Sequence, residues 1–465
     1  MDCSGSKAAN TGVAEAARNG PGASIVDKPA PKPDPKPDAK ASMDMGAIAS
    51  ELPEPPKPSV KKLPEPTPKP DPKPDAEALP EATQRGLSLR GVRKLEVLVK
   101  QLVADREIFG TFEGKDWVAE DYEQLTTTQF VYGWVKRVGV TGAERLADCR
   151  LFIDPSDLGV PKYFISHAWM GSFAKLLRET LAYLKSAPAG TRVWIDCVAV
   201  NQHPDTRPEV NMADVASFED TVKACTGGTM VVVDMARCNP AARGWCIHEW
   251  DITTFHHGSD GLHMMGMSSA DRQAIIAQVD VENAECFDPK DLEMILGNVR
   301  ANHGTPAAFN RAVKLQLLFS PLSYRVDLEQ LKKRSDGTEW NFGPVDEWLA
   351  AEPSSSRVLC ILGGAGTGKS TISAALVRGV LGRPVEGRPG EWAGPITAIH
   401  FLKHSDQRRL DMVAMLKSFA FQLGLRLPKA QEWLDKLDSL EIDRLNSSDQ
   451  AFDLLFGPAF VEACE

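Results

Sequence analysis

The sequence predicts an α/β protein with two parallel-sheet units, joined by a helical connector and preceded by a disordered, proline-rich N-terminal tail. Three observations carry that prediction. Residues 357–377 (RVLCILGGAGTGKSTISAALV) read as a short apolar strand, a glycine-rich loop and a helix with Ile372, Ala375 and Leu376 on one face. From residue 162 to 233, short apolar strands alternate with helical stretches, which implies a parallel sheet with helices on both faces. The first 85 residues carry PKPDPKPDA at 31–39 and again at 68–76, with LPEP at 52–55 and 63–66. Proline alternating with Lys, Asp and Glu cannot bury a core and favours extended, solvated polyproline II.

A chain of 465 residues exceeds one ordinary domain. Its composition divides it into a tail at 1–85, a small helical segment at 86–155, an α/β domain at 156–265, a helical connector at 266–345 and a second, partial α/β domain at 346–465. Sixty-three acidic against 53 basic residues give a net charge of −10, which excludes a long basic face for nucleic acid. Nine cysteines without a repeating spacing suit reduced thiols better than a disulfide framework. There is no apolar run long enough to span a bilayer and no signal-peptide apolar region, and Asp2 stands where myristoylation needs glycine. The expectation is a cytoplasmic protein without membrane attachment. The tail acts as a semi-rigid spacer or as a docking site for a proline-binding partner.

In chain order, Leu89, Val92, Leu95, Val99 and Val103 keep a helical period over 87–103. Residues 163–167 (YFISH), 192–196 (RVWID) and 229–233 (TMVVV) read as strands, with helices at 173–184 and 218–224 between them. In an open α/β sheet the functional groups gather at the strand C-termini, so Ser166, His167, Asp196 and Asp234 fall on one edge. The gaps among Cys225, Cys238, Cys246 and His248 match no zinc-ligand spacing, and no metal other than Mg²⁺ is expected. His256, His257 and His263 read as solvated residues of a Gly- and Met-rich loop. Helical periodicity then runs through Ile275, Ile276 and Val279, through Leu292, Ile295, Leu296 and Val299, and through Val313, Leu317 and Leu318. Phe342, Trp348 and Leu349 are read as covering one face of the second α/β unit.

The loop Gly363, Gly364, Ala365, Gly366, Thr367, Gly368, Lys369, Ser370, Thr371 follows the G-x-x-x-x-G-K-[ST] spacing of a phosphate-binding loop. Glycines let successive backbone N–H groups curl round an anion, and the helix N-terminus adds partial positive charge. Lys369 then reaches the β- and γ-phosphates of ATP or GTP, and the Ser370 hydroxyl ligates Mg²⁺. A glycine-rich turn that merely joins a strand to a helix has no need of the Lys-Ser pair. A Gly- and Pro-rich loop (382–395), a strand at 396–402, KHSDQRR and a helix at 410–423 capped by Gly424 come next. No apolar strand ending in Asp follows. Residues 440–443 (LEID) are interrupted by a charge, 452–456 carry their Asp near the start, and 460–465 are short.

Two resemblances add to this reading. YFISHAW, VWIDCVAVNQ, VVVD and RGWCIHEW, over about 160–260, look like the TIR fold and the related heterokaryon-incompatibility (HET) domains, the Asn201-Gln202 pair being closer to the latter. In TIR domains that cleave NAD, the WCxxE glutamate is catalytic, and the matching residue here is Glu249. On the residues alone, Trp245 and Cys246 read as core and Glu249 as an exposed helix charge. GGAGTGKST with IHFLKHSDQRRLDMVAMLKSFAFQL is similar to NACHT and nephrocystin-like NTPases of the STAND class over 340–465. In that class a Walker B strand lies just beyond a segment like AFDLLFGPAF, so the resemblance implies a chain that stops before it and turns nucleotide over weakly or not at all. The combined expectation is a nucleotide-switched signalling protein whose TIR-like domain acts as effector or adaptor, with protein partners and self-association. A P-loop kinase or transferase for a small substrate and a non-catalytic scaffold are the alternatives.

Overall fold

The structure is a computed structural model that describes residues 81–112, 114–139, 144–259, 261–334, 343–352, 358–364, 366–376 and 398–464. Its strands are β1 (Gly86–Ser88), β2 (Phe109–Phe112), β3 (Lys115–Val118), β4 (Leu158–Gly159), β5 (Tyr163–His167), β6 (Arg192–Ile195), β7 (Thr229–Val232) and β8 (Leu262–Met265). Six form one mostly parallel sheet in the order β4-β1-β6-β5-β7-β8, and β2 with β3 makes a separate hairpin. β6, β5, β7 and β8 run parallel, whereas β1 pairs antiparallel with both β4 and β6. Strands covered on both faces read as near-continuous apolar runs, and every residue of β5 and β7 is buried.

One face of the sheet packs on the helices Leu89–Ala104 and Phe173–Ser186 through Val92, Leu95, Leu177 and Leu181 against Ile165, Val193 and Met230. Both helices start where the sequence supplies a cap: Ser88 accepts from the Gly91 N–H and Ser172 from the Lys175 N–H. The other face packs on the helix Gly244–His257, whose Ile247 and Trp250 share a core with Val231 and Val233. Outside it lie Ser269–Gln278, Pro289–His303 and Pro306–Phe319, which contribute Ile275, Val279, Ile295, Val299, Phe309 and Val313 to that core. The folded part extends ahead of Leu87: Glu81–Gln84 form a 3-10 turn in which Thr83 is fully buried.

Several expectations are corrected. β1 and β4, three and two residues long, are too short for periodicity to reveal, and the four-residue β8 lies in the stretch read as a Gly- and Met-rich loop. Asp196 does not end a strand but opens the helical turn Asp196–Ala199. His256 and His257 close a helix and His263 lies in β8. Their ring nitrogens meet Glu219 Oε1 (2.8 Å), the Val222 carbonyl (2.6 Å) and the Gly227 carbonyl (2.8 Å), so none is a solvated loop residue.

The C-terminal part differs most. Residues 358–362 and 398–402 are not strands. Val358 is 71% and Leu362 90% exposed, since an apolar extended segment becomes a buried strand only with neighbours on both sides, and no strand pairs with it among the described residues. Ile399 finds a substitute for a ladder: its N–H donates to Gln422 Oε1 (2.9 Å) and Gln422 Nε2 donates to its carbonyl (3.0 Å). The described residues here are otherwise mainly helical. Met412–Gly424, Pro428–Leu434, Ser439–Arg444 and Ser448–Phe456 pack with Pro306–Phe319 around Leu315, Leu318, Leu416, Phe421, Leu434 and Leu455. Gly424 is the last residue of its helix rather than a cap beyond it. A Cβ there would stand 2.8 Å from Leu315 Cδ1 and 2.9 Å from Leu434 Cδ1, so it marks a close approach. The stretches 440–443, 452–456 and 460–464 are all helical. Residues 1–80, the loop 382–395, Phe342 and the Leu349 side chain lie outside the described residues, and Trp348 is half-buried.

Candidate functional site

Two clusters hold the residues singled out by sequence. The first is the glycine-rich loop. Gly366 and Gly368 adopt φ of +77° and +84°, the left-handed region that other residues enter only with strain. Directly after them the helix Lys369–Leu376 begins, its first turn closed by the Ile372 N–H on the Gly368 carbonyl (2.9 Å). Thr367 Oγ1 donates to the Gly364 carbonyl (3.0 Å), and a Cβ on Gly363 would meet that hydroxyl at 2.6 Å. Lys369 Nζ folds back onto the carbonyls of Gly363 (2.8 Å) and Gly364 (2.6 Å). Lys369 and Ser370 are exposed and Thr371 is half-buried; Ala365 lies outside the described residues. The loop thus combines left-handed glycines, a helix N-terminus and an exposed cation at one point, a combination suited to an anion.

The second cluster lies at the C-terminal edge of the parallel strands. Asp196 takes a hydrogen bond from Trp169 Nε1 (2.6 Å) and one from the Cys197 N–H (2.6 Å), and it stands 3.8 Å from His167 Nδ1. Burial pushes the His167 pKa down against the pull of Asp196. Asp234 accepts from the Ser172 N–H (2.8 Å). His167, Ser172 and Asp234 line a small cleft together with Gly171, Leu176 and Cys238. Its cavity volume is about 10 Å³, room for roughly one water molecule rather than for a ligand.

Glu249 is no exposed helix charge: it is 5% exposed, on the sheet-facing side of Gly244–His257. Burial, reinforced by the Asp196 carboxylate, raises its pKa well above the usual range, with the nearby Ser166 hydroxyl opposing weakly. Burial and then Glu249 likewise hold the neighbouring Cys246 thiol protonated. Neither Ser166 Oγ nor Glu249 Oε2 has a partner within hydrogen-bond geometry. Glu249 is therefore a buried acid with a raised pKa, and it does not line the cleft.

Asn201 and Gln202 build the turn after β6. Asn201 Oδ1 accepts from the His203 N–H (2.9 Å), its own N–H donates to Asp214 Oδ2 (2.8 Å), and Gln202 Nε2 donates to the Val200 carbonyl (3.3 Å). Asp214 in turn holds Arg145 through two bonds (2.6 and 2.8 Å) and Arg85 at 3.6 Å. Sequence gives no signal for this network, because its members are far apart in the chain and no motif joins them. Trp169 stands inside the YFISHAW string but becomes visible as the partner of Asp196 only in three dimensions. Among the described residues no group of three or more His, Cys, Asp or Glu is placed to hold a metal ion. Nor is any helix among them long and apolar enough to cross a membrane.

These features define a mixed α/β protein with a buried acidic sheet edge and a separate glycine-rich loop at a helix start. Residues 340–462, about a quarter of the chain, match the family model described as the N-terminal part of nephrocystin 3, and the match takes in both the loop and the helices after it. No curated protein and no solved structure matches the chain.

Proposed function

We propose that the protein binds ATP or GTP with Mg²⁺ at residues 363–371 and uses the nucleotide as a conformational ligand in signalling. The observation that carries this reading is the loop itself: left-handed Gly366 and Gly368 run straight into a helix headed by Lys369 and Ser370. In the complex, Lys369 leaves the Gly363 and Gly364 carbonyls for the β- and γ-phosphates, and Ser370 ligates Mg²⁺. The match over 340–462 supports a nephrocystin-like, STAND-type module, and the sheet domain is the TIR-like effector or adaptor that it controls through protein contacts and self-association. The NAD-cleaving reading asks for a reachable, ionised Glu249. The burial of Glu249, the raised pKa that burial gives it and the small cleft weigh against it. Lys369→Ala tests the proposal. A charge-assisted bond contributes about 1.5–3 kcal/mol, which is roughly a ten- to hundredfold loss of affinity in a fluorescent-nucleotide titration. Equal affinity in the two proteins refutes the assignment.

A further inference from the structure

We infer that the helix Arg325–Arg334 couples the glycine-rich loop to the helix carrying Glu249, with Arg325 as the transmitting contact. The inference rests on the nucleotide reading above and adds the route by which occupancy reaches the sheet domain. Arg325 Nη1 donates to the carbonyls of Phe255 (3.1 Å) and His256, the last turn of Gly244–His257, which ends at Gly258 with φ of +81°. A guanidinium there satisfies orphan carbonyls and complements the partial negative charge of a helix C-terminus. The same helix, Arg325–Arg334, packs along Lys369–Leu376, the helix that the loop opens into. One element therefore touches both ends of the proposed switch.

Its first turn is also clamped. Asp327 pairs with Arg409 (2.6 Å) and Lys403 (3.1 Å), and Arg409 donates to the Ser323 carbonyl (3.0 Å) and lies over the Tyr324 ring at 5.1 Å. Tyr324 is 2% exposed and its hydroxyl meets His400 Nδ1 at 2.6 Å. A helix held by buried groups on this side shifts as a body when its neighbour shifts. The contact it has to spare is the polar, partly exposed one at Arg325, whose side chain is 40% exposed. Hydrogen bonds of that kind can be made and broken without opening a core.

Contiguity alone is not coupling, so the test reads the distant helix directly. Amide hydrogen exchange across residues 250–258 is followed in the full chain with and without saturating Mg-AMP-PNP, in wild type and in Arg325→Leu, with nucleotide affinity titrated separately. The expected result is a change of at least about fivefold in wild-type exchange, in line with ordinary allosteric coupling, and its loss in Arg325→Leu although nucleotide still binds. Arg325→Lys, which keeps one donor, retains part of the response and serves as the second variant if the leucine protein does not fold. Binding without a change in wild type, or a change that persists in either folded variant at full size, overturns the coupling and leaves the nucleotide site standing. Absence of binding in wild type overturns both.

Discussion

Replacing Glu249 with Gln gives a stability difference whose pH dependence follows from the burial of one carboxyl. In the native protein burial and then Asp196 raise the pKa of this acid well above its usual range, whereas in the unfolded chain it ionises near its ordinary value of 4.5. The native state thus binds the extra proton between pH 4.5 and its own higher pKa, and stability falls as pH rises through that window. The contribution is fully present below the unfolded value and is lost progressively towards the folded one. Glutamine keeps the shape and neutrality of the protonated acid but cannot ionise in the unfolded chain. The stability of Glu249→Gln relative to wild type should therefore grow with pH above about 4.5, at a slope of up to about 1.4 kcal/mol per pH unit, and level off once the folded-state pKa is passed. Urea denaturation of both proteins across that range, compared at each pH, measures it. A difference that stays flat, or a wild type that gains on the variant as pH rises, refutes the picture of a buried acid with a raised pKa.

Asp214→Ala should be among the most damaging single changes in the sheet domain. It strips Arg145 and Arg85 of a partner whose side chain is 5% exposed, beside an Arg85 side chain at 4%. Removing one member of a buried ion pair costs about 3–5 kcal/mol, so a thermal midpoint unchanged within error sinks this account. Gly424→Ala pits helix propensity against packing. The methyl gains about 1 kcal/mol of propensity but must displace Leu315 and Leu434 at 2.8 and 2.9 Å. Overpacking of about 1–3 kcal/mol outweighs that gain, and the variant should melt earlier than wild type; a stabilised variant shows that those leucines yield freely.

The parallel strands and their helices are legible because each is coded locally. YFISH and TMVV carry continuous apolar runs, Ser172 caps the helix that follows β5, and the connector's apolar positions recur at helical spacing. What sequence misses is set by distant partners. β1 has three residues and exists because β4 and β6 flank it. Residues 358–362 have every local mark of a strand, yet strand formation depends on neighbours that no local pattern specifies. For the candidate sites, the glycine loop is readable from spacing alone. The ionisation state of Glu249 is not, because it depends on Asp196 and on burial, neither of which its own motif encodes.

The helix Gly244–His257 shows how the connector takes part in the sheet domain's chemistry. Trp245 Nε1 donates to Asp291 (2.9 Å), while Asp251, fully buried, accepts from Asn302 Nδ2 (3.1 and 3.2 Å) and meets His303 Nε2 at 2.9 Å. The Gly244 N–H bonds the Glu285 carbonyl (2.9 Å), and Arg325 takes the other end. Its polar groups are thus tied at both ends and along the middle to residues from 285 to 325, while Ile247 and Trp250 are sealed under Ile275, Ile295 and Phe309. A segment that reads as a linker therefore packs over the outer side of the helix that carries Glu249. A displacement of this helix would carry Glu249 with it, so the packing of the connector bears on the candidate site.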